Sequence, residues 1–199
     1  MSKVAFGLKA HSGWAALVAL GERGAQLDVV ERRRLELVDE AWAKAPYHAS
    51  EGLAARDAED LVARAIAAAH AGAERALATA LAERSAQGDE VVGCGVLLGA
   101  GMPPWSVAEI LSVHMRMHKA EGELFRAALT QGAERAGLRC IGVREKDVEA
   151  VAGEALSLAT DERQRRLAEA GRRAGPPWAR DQKEAALVAW IALRRLRRG

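Results

Sequence analysis

Residues Asp89–Gly101 read DEVVGCGVLLGAG, an almost continuous apolar run with an acidic pair on one side and glycines on the other. A strand with one wet face alternates apolar and polar residues, whereas a strand covered on both faces does not. The run is therefore expected to be a buried strand at the centre of a sheet, with helices on both faces. The flanking sequence supplies the rest of that sheet and the helices.

Upstream, Val4, Phe6 and Leu8 alternate with small or polar residues, and Gly13 opens a second apolar run, WAALVAL, that ends at Gly21. This pattern predicts two strands joined by a tight turn. Glu22–Gly24 make the next turn. Gln26–Val38 form a third extended segment, with an irregularity expected where Arg32, Arg33 and Arg34 cluster. A loop or short helix around residues 40–52 carries Pro46, Tyr47 and His48. From Leu53 to Ala86 the chain is alanine-rich, with Leu61, Val62, Ile66, Leu77 and Leu81 near helical spacing, which predicts one long helix with a bend at Gly72.

Downstream, Ser106 and Glu109 have the spacing of a capping box. They predict the start of a helix that runs to Gly137, with a kink at Gly122. Leu138–Val143 is a short strand, residues 146–173 are helical and highly charged, and Gly175-Pro176-Pro177 separates them from a last helix over Asp181 to about Arg197. The order β-β-β-α-β-α-β-α-α implies one α/β domain over residues 1–199, with a mixed five-stranded sheet, its three antiparallel strands first, flanked by helices.

Composition narrows the class. The 199 residues are 50% hydrophobic and 28% charged, which excludes an intrinsically disordered chain. No apolar run is long enough to span a bilayer, and MSKVAFGLKAHSGW lacks a secretory apolar core, so a cytoplasmic protein without membrane partners is expected. Two cysteines, Cys94 and Cys140, make no disulfide framework and are expected as buried free thiols. The formal net charge of +2 does not by itself indicate a nucleic-acid partner. Arginines cluster at 32–34, 172–173 and 194–198, and the last cluster, at a helix C-terminus, is expected as a solvated helix end or a phosphate-binding patch. Neither a nucleotide-binding glycine fingerprint nor a nucleophile elbow is present.

The most chemically pointed segment is His114–Phe125, HMRMHKAEGELF. On a continuous helix, at roughly 100° per residue, His118 and Glu121 fall within about 40° of His114, amid Val107, Ile110, Leu111, Phe125, Ala128 and Leu129. Three ionisable groups on an apolar stripe must satisfy one another or line a pocket. Imidazoles at i and i+4 with a carboxylate one turn on could hold a metal as His114, His118 and Glu121, an arrangement zinc accepts. The glutamate that follows the first histidine in helical metalloprotease motifs is replaced here by Met115. Elsewhere, Lys9 and His11 share a strand face, Asp181 and Glu184 open the last helix as either caps or site carboxylates, and Trp178 is a packing anchor or a stacking platform.

The element order resembles the ribonuclease H-like fold, particularly its Holliday-junction-resolvase branch, over almost the whole chain. In that family a G-[IL]-D-x-G segment on the first strand supplies a metal-binding aspartate. Gly7-Leu8-Lys9-Ala10-His11-Ser12-Gly13 places Lys9 at that position. The family's acid near the end of the fourth strand is missing, since only Gly99 and Gly101 stand there. Its acidic pair on the last helix is matched by Asp181-Gln182-Lys183-Glu184. The resemblance implies a site where the first and fourth strands end beside the last helix, with a divalent metal (Mg, Mn or Zn) and nucleic acid or another phosphate-bearing ligand. Lys9, His11, Glu121, Asp181 and Glu184 are the catalytic candidates, expected to form one site together with His114 and His118, and Lys9 would neutralise phosphate charge. The alternatives are a non-catalytic binding or assembly module that kept the fold, with self-association as one use of it, and a hydrolase built on His114, His118 and Glu121 alone.

Overall fold

The computed structural model describes residues 2–197. Three strands come first, β1 (Ser2–His11), β2 (Trp14–Arg23) and β3 (Gln26–Glu36), followed by two single-turn helices, α1 (Ala41–Lys44) and α2 (Pro46–Ala49), and the long α3 (Ala55–Ala86). Next come β4 (Asp89–Leu98), α4 (Val107–Leu111), α5 (His114–Arg135), β5 (Cys140–Arg144), α6 (Val148–Leu156), α7 (Thr160–Ala174) and α8 (Arg180–Leu196).

The sheet is mixed, in the order β3-β2-β1-β4-β5. β1, β2 and β3 pair antiparallel, and β4 runs parallel to both β1 and β5. The run at Asp89 is thus an interior strand, as its pattern requires, but β1 takes the middle position because only β5 lies beyond β4. The irregularity expected in β3 is a register shift opposite Ala19/Leu20, between Val29 and Glu31, just before the arginines.

Alternation along β1 assigns the two faces. Phe6 and Leu8 pack with Ala65, Ala69, Leu77, Phe125 and Leu129 of α3 and α5. Ala5 packs with Ala192 and Leu193 of α8. Gly7 lies on the same side as Ala5, and a Cβ there would overlap the Ala185 carbonyl oxygen. Gly95 of β4 serves the same purpose, since its Cβ would stand 2.5 Å from the Val188 carbonyl oxygen. The two missing side chains let the α8 backbone lie directly on the sheet. Trp190, fully buried, fills the rest of that layer and sets its Nε1 3.3 Å from Glu22 Oε1. α8 is therefore fixed in height and rotation over the end of β1.

Several helix boundaries depart from the sequence pattern. The Ser106–Glu109 capping box forms, with Glu109 N donating to Ser106 Oγ at 3.2 Å and Ser106 N donating to the Glu109 carboxylate at 2.8 Å. The helix it opens is only α4. Val113 is extended (φ −142°, ψ 115°), and α5 starts afresh at His114, then passes through Gly122 unbroken. α3 is continuous through Gly72, where the absent Cβ admits the Leu37 carbonyl. The charged segment at 146–173 divides at Ser157, which is left-handed (φ 53°). Cys94 is buried and Cys140 half-buried on adjacent strands, both as free thiols. Among the described residues no helix is long and apolar enough to cross a membrane.

Candidate functional site

The polar candidates do not form the single site expected of them but divide between the two faces of the sheet, because Lys9 and His11 point to the α8 side of β1 while His114, His118 and Glu121 belong to α5 on the other side. On the α8 face, Lys9 projects from the C-terminal end of β1 toward the first turn of α8. Its Nζ lies 3.1 Å from Asp181 Oδ1 and makes a second, shorter ion pair with Glu184. The Lys9 side chain is 12% exposed and both carboxylates 28%. Burial alone would lower the Lys9 pKa, but the hydrogen bonds and charges of Glu184 and Asp181 outweigh it and hold the ammonium above its ordinary value. Burial would likewise raise Glu184, yet Lys9 and Arg180 keep its carboxyl below the usual range. Arg180 Nε donates to Glu184 at 2.7 Å.

The helix does not use these acids as caps. Ala179 is the N-cap residue, and its N–H is satisfied at 3.0 Å by the Gln182 side chain. Asp181 is free to face β1, where His11 Nε2 lies 3.1 Å from its Oδ2. The His11 ring stacks on Trp14 at 4.1 Å, and the Arg34 guanidinium lies 4.2 Å over the same indole. A shallow groove lined by Trp14, Arg32, Arg33, Arg34, Pro177 and Gln182 extends from this cluster.

The opposite face holds the second cluster. Glu121, 5% exposed, accepts from His48 Nδ1 at 2.8 Å and from the His48 backbone N–H at 3.3 Å. His114 and His118 bring their Nε2 atoms within 3.1 Å of each other. One ring nitrogen from each of His48, His114 and His118 lies within 4.8 Å of the other two. The expected set of His114, His118 and Glu121 is thus replaced by three imidazoles, with Glu121 standing behind His48. The two helix histidines are exposed rather than central to the buried face, which follows Met117, Ala120, Glu121, Leu124 and Phe125. Both keep the angular direction of Glu121, Phe125 and Ala128 within α5, so their exposure comes from their place at the start of that helix and not from a rotation of its buried face. Burial raises the Tyr47 hydroxyl's pKa, and the charge of Glu121 adds to this.

Many of the arginines are engaged in structure. Arg32 donates to the carbonyls of Ala174 at 3.0 Å, Pro176 at 2.7 Å and Pro177 at 2.9 Å, and also to Gly175. Arg33 pairs with Glu31 and Glu83, and Arg173 donates to the Leu27 carbonyl at 2.7 Å. Arg194 pairs with Glu22 at 2.6 Å, and Arg198 lies outside the described residues. Trp178 packs its ring against Gly171, the anchoring role rather than a stacking platform. At the end of β4, Glu123 of α5 lies against Gly99 and is 3.5 Å from Arg126, so the acid found there is also paired.

No protein-family model matches the sequence, and no curated protein matches it. Among solved structures, the chain is similar to T. thermophilus RuvC in complex with Holliday junction substrate, with 10% identity, 98% of this chain and 96% of that chain covered, and a TM-score of 0.54. A second Thermus thermophilus RuvC structure is similar at 11% identity over the same shares of each chain, with a TM-score of 0.51. These likenesses show the fold: the chain has the ribonuclease H-like architecture that its element order resembles.

Proposed function

We propose that this chain is a ribonuclease H-like protein that binds nucleic acid without cutting it, an internal ion pair having taken the place of a divalent-metal centre. The observation that carries this reading is the Lys9 ammonium seated between Asp181 and Glu184. Two-metal phosphodiester hydrolysis needs carboxylates free to coordinate and to place a charged water. Here the first-strand acid is a lysine, and both surviving acids are neutralised by Lys9 and Arg180. The donor set does not fit a divalent cation. Lys9 does not replace the metal as a base either, because the carboxylates hold it protonated.

The surface around the ion pair still suits a phosphate backbone. Arg180, with an 80% exposed side chain, stands beside the cluster together with exposed Lys183. Arg34, 51% exposed, stands above Trp14 in the adjoining groove. Cations in such a row give sequence-independent, salt-sensitive affinity. The RuvC structure bound to a Holliday junction makes a four-way DNA junction the first ligand to try.

Fluorescence anisotropy with labelled four-way junction and duplex DNA, beside a cleavage assay in Mg²⁺ and in Mn²⁺, tests this reading. Binding that weakens steeply with salt and on Arg180→Glu, with no cleavage product, is the expected result. Absence of binding at low salt would refute the nucleic-acid part. Metal-dependent cleavage abolished by Asp181→Asn would refute the non-cutting part and favour the second reading, a nuclease. That reading draws on the carboxylate pair retained at the head of α8 and requires Lys9 to swing aside.

A further inference from the structure

The geometry points to a transition-metal site on the opposite face of the sheet, with His48, His114 and His118 as a three-imidazole set for Zn²⁺ or a metal of similar preference. The site is independent of the Lys9 cluster and of any nucleic-acid binding there. It begins with Glu121. A carboxylate can only accept, so the His48 Nδ1 that lies 2.8 Å from it carries the proton, and His48 Nε2 is left as a bare lone pair. The same carboxylate takes the His48 backbone N–H, which fixes both the position and the tilt of the ring. A buried carboxylate that orients a histidine through its far nitrogen is the usual support of a metal-ligating imidazole.

His114 and His118 complete the set from one helix face. Their Nε2 atoms are 3.1 Å apart, and two ligands on a tetrahedral zinc with bonds of about 2.0–2.1 Å stand about 3.3 Å apart. The His48 ring centroid lies 5.2 Å from that of His114 and 4.6 Å from that of His118. One N–H···N bond can join His114 to His118, but the Nδ1–H of His48 is committed to Glu121 and serves neither of them. A metal ion satisfies all three lone pairs at once.

The scaffold below is firm. Tyr47 of α2 packs in one cluster with Ile110 of α4, Met117 and Ala120 of α5, and Val62 of α3. His48 and His118 are therefore carried by helices already in contact, and rotation of side chains suffices to close the set. His114 and His118 are exposed, so a fourth position faces solvent, as in zinc sites that keep a water or take an external ligand.

Untagged, metal-free protein titrated calorimetrically with Zn²⁺, and followed in parallel by the visible absorption of Co²⁺, tests the site. One metal per chain with tetrahedral Co²⁺ bands is expected. His118→Ala, an exposed position whose loss leaves the fold intact, should abolish both signals. Glu121→Gln should weaken binding about 10–100-fold without removing it, and Lys9→Met should leave it unchanged. Absence of binding in the parent protein, or equal binding in His118→Ala, would overturn the assignment.

Discussion

Replacing Lys9 by methionine removes the ammonium but keeps most of the side-chain volume, and the consequences follow from the geometry. At 3.1 Å, and with an effective dielectric constant near 20, the attraction to Asp181 alone is about 5 kcal/mol before desolvation is subtracted. Exposed ion pairs contribute about 0–1 kcal/mol net, while breaking a buried pair costs about 3–5 kcal/mol. Lys9 is 12% exposed and its partners 28%, so an intermediate loss of about 2–3 kcal/mol is expected at neutral pH. For a chain of this size that corresponds to roughly 5–10 °C in Tm. The loss should also depend on pH. Glu184 titrates below its ordinary range, so the stability it draws from Lys9 is present above its unfolded-state pKa and disappears as pH falls through its folded value. Lys9 titrates above its ordinary range, so its contribution is complete below its unfolded-state pKa and disappears as pH rises through the folded value. Urea denaturation of both proteins across pH should show the largest difference between those limits, narrowing at either end. A variant within about 0.5 kcal/mol of the parent at pH 7, the range of an ordinary surface substitution, would refute the reasoning, as would a difference that does not shrink in acid.

Two further outcomes concern the parts that hold the site. Gly7→Ala sets a methyl group into the Ala185 carbonyl, so α8 must lift from β1; about 3 kcal/mol or more of stability should be lost by calorimetry, the upper range of overpacking, and a change below 1 kcal/mol would contradict the close contact. Glu22→Ala leaves the fully buried Trp190 without its Nε1 acceptor and removes the ion pair with Arg194; a loss of about 2–4 kcal/mol is expected from urea denaturation, and a neutral result would show that water replaces the carboxylate.

The order of elements could be read from the sequence because each strand carried its own signal: alternation in β1, an unbroken apolar run in β4, turn glycines between. The approach of Lys9 to Asp181 and Glu184 followed from topology once β1 and the last helix were placed together. The three-histidine set could not be read in the same way. His48 comes to its partners through tertiary packing of a one-turn helix, and nothing local marks it beyond Pro46 at the first helical position. The exposure of His114 and His118 was hidden for a different reason, since helical spacing gives a direction and not what covers it. A capping box at Ser106 fixes where a helix starts but not how far it runs, and the extended residue Val113 makes His114 the first residue of a new helix, so both histidines keep the direction of the buried stripe yet lie exposed near the helix start. A β-branched residue following Ser112 was the only hint of that break.

On the proposed function, the Lys9 ammonium stands in place of a metal. Crystals of the parent protein and of Lys9→Asp, soaked in Mn²⁺ and measured at the manganese absorption edge, test it directly. The parent should show no anomalous peak between Asp181 and Glu184, with Lys9 still bridging them, and Lys9→Asp should show one. A manganese ion held by those two carboxylates in the parent, with Lys9 turned away, would contradict the claim.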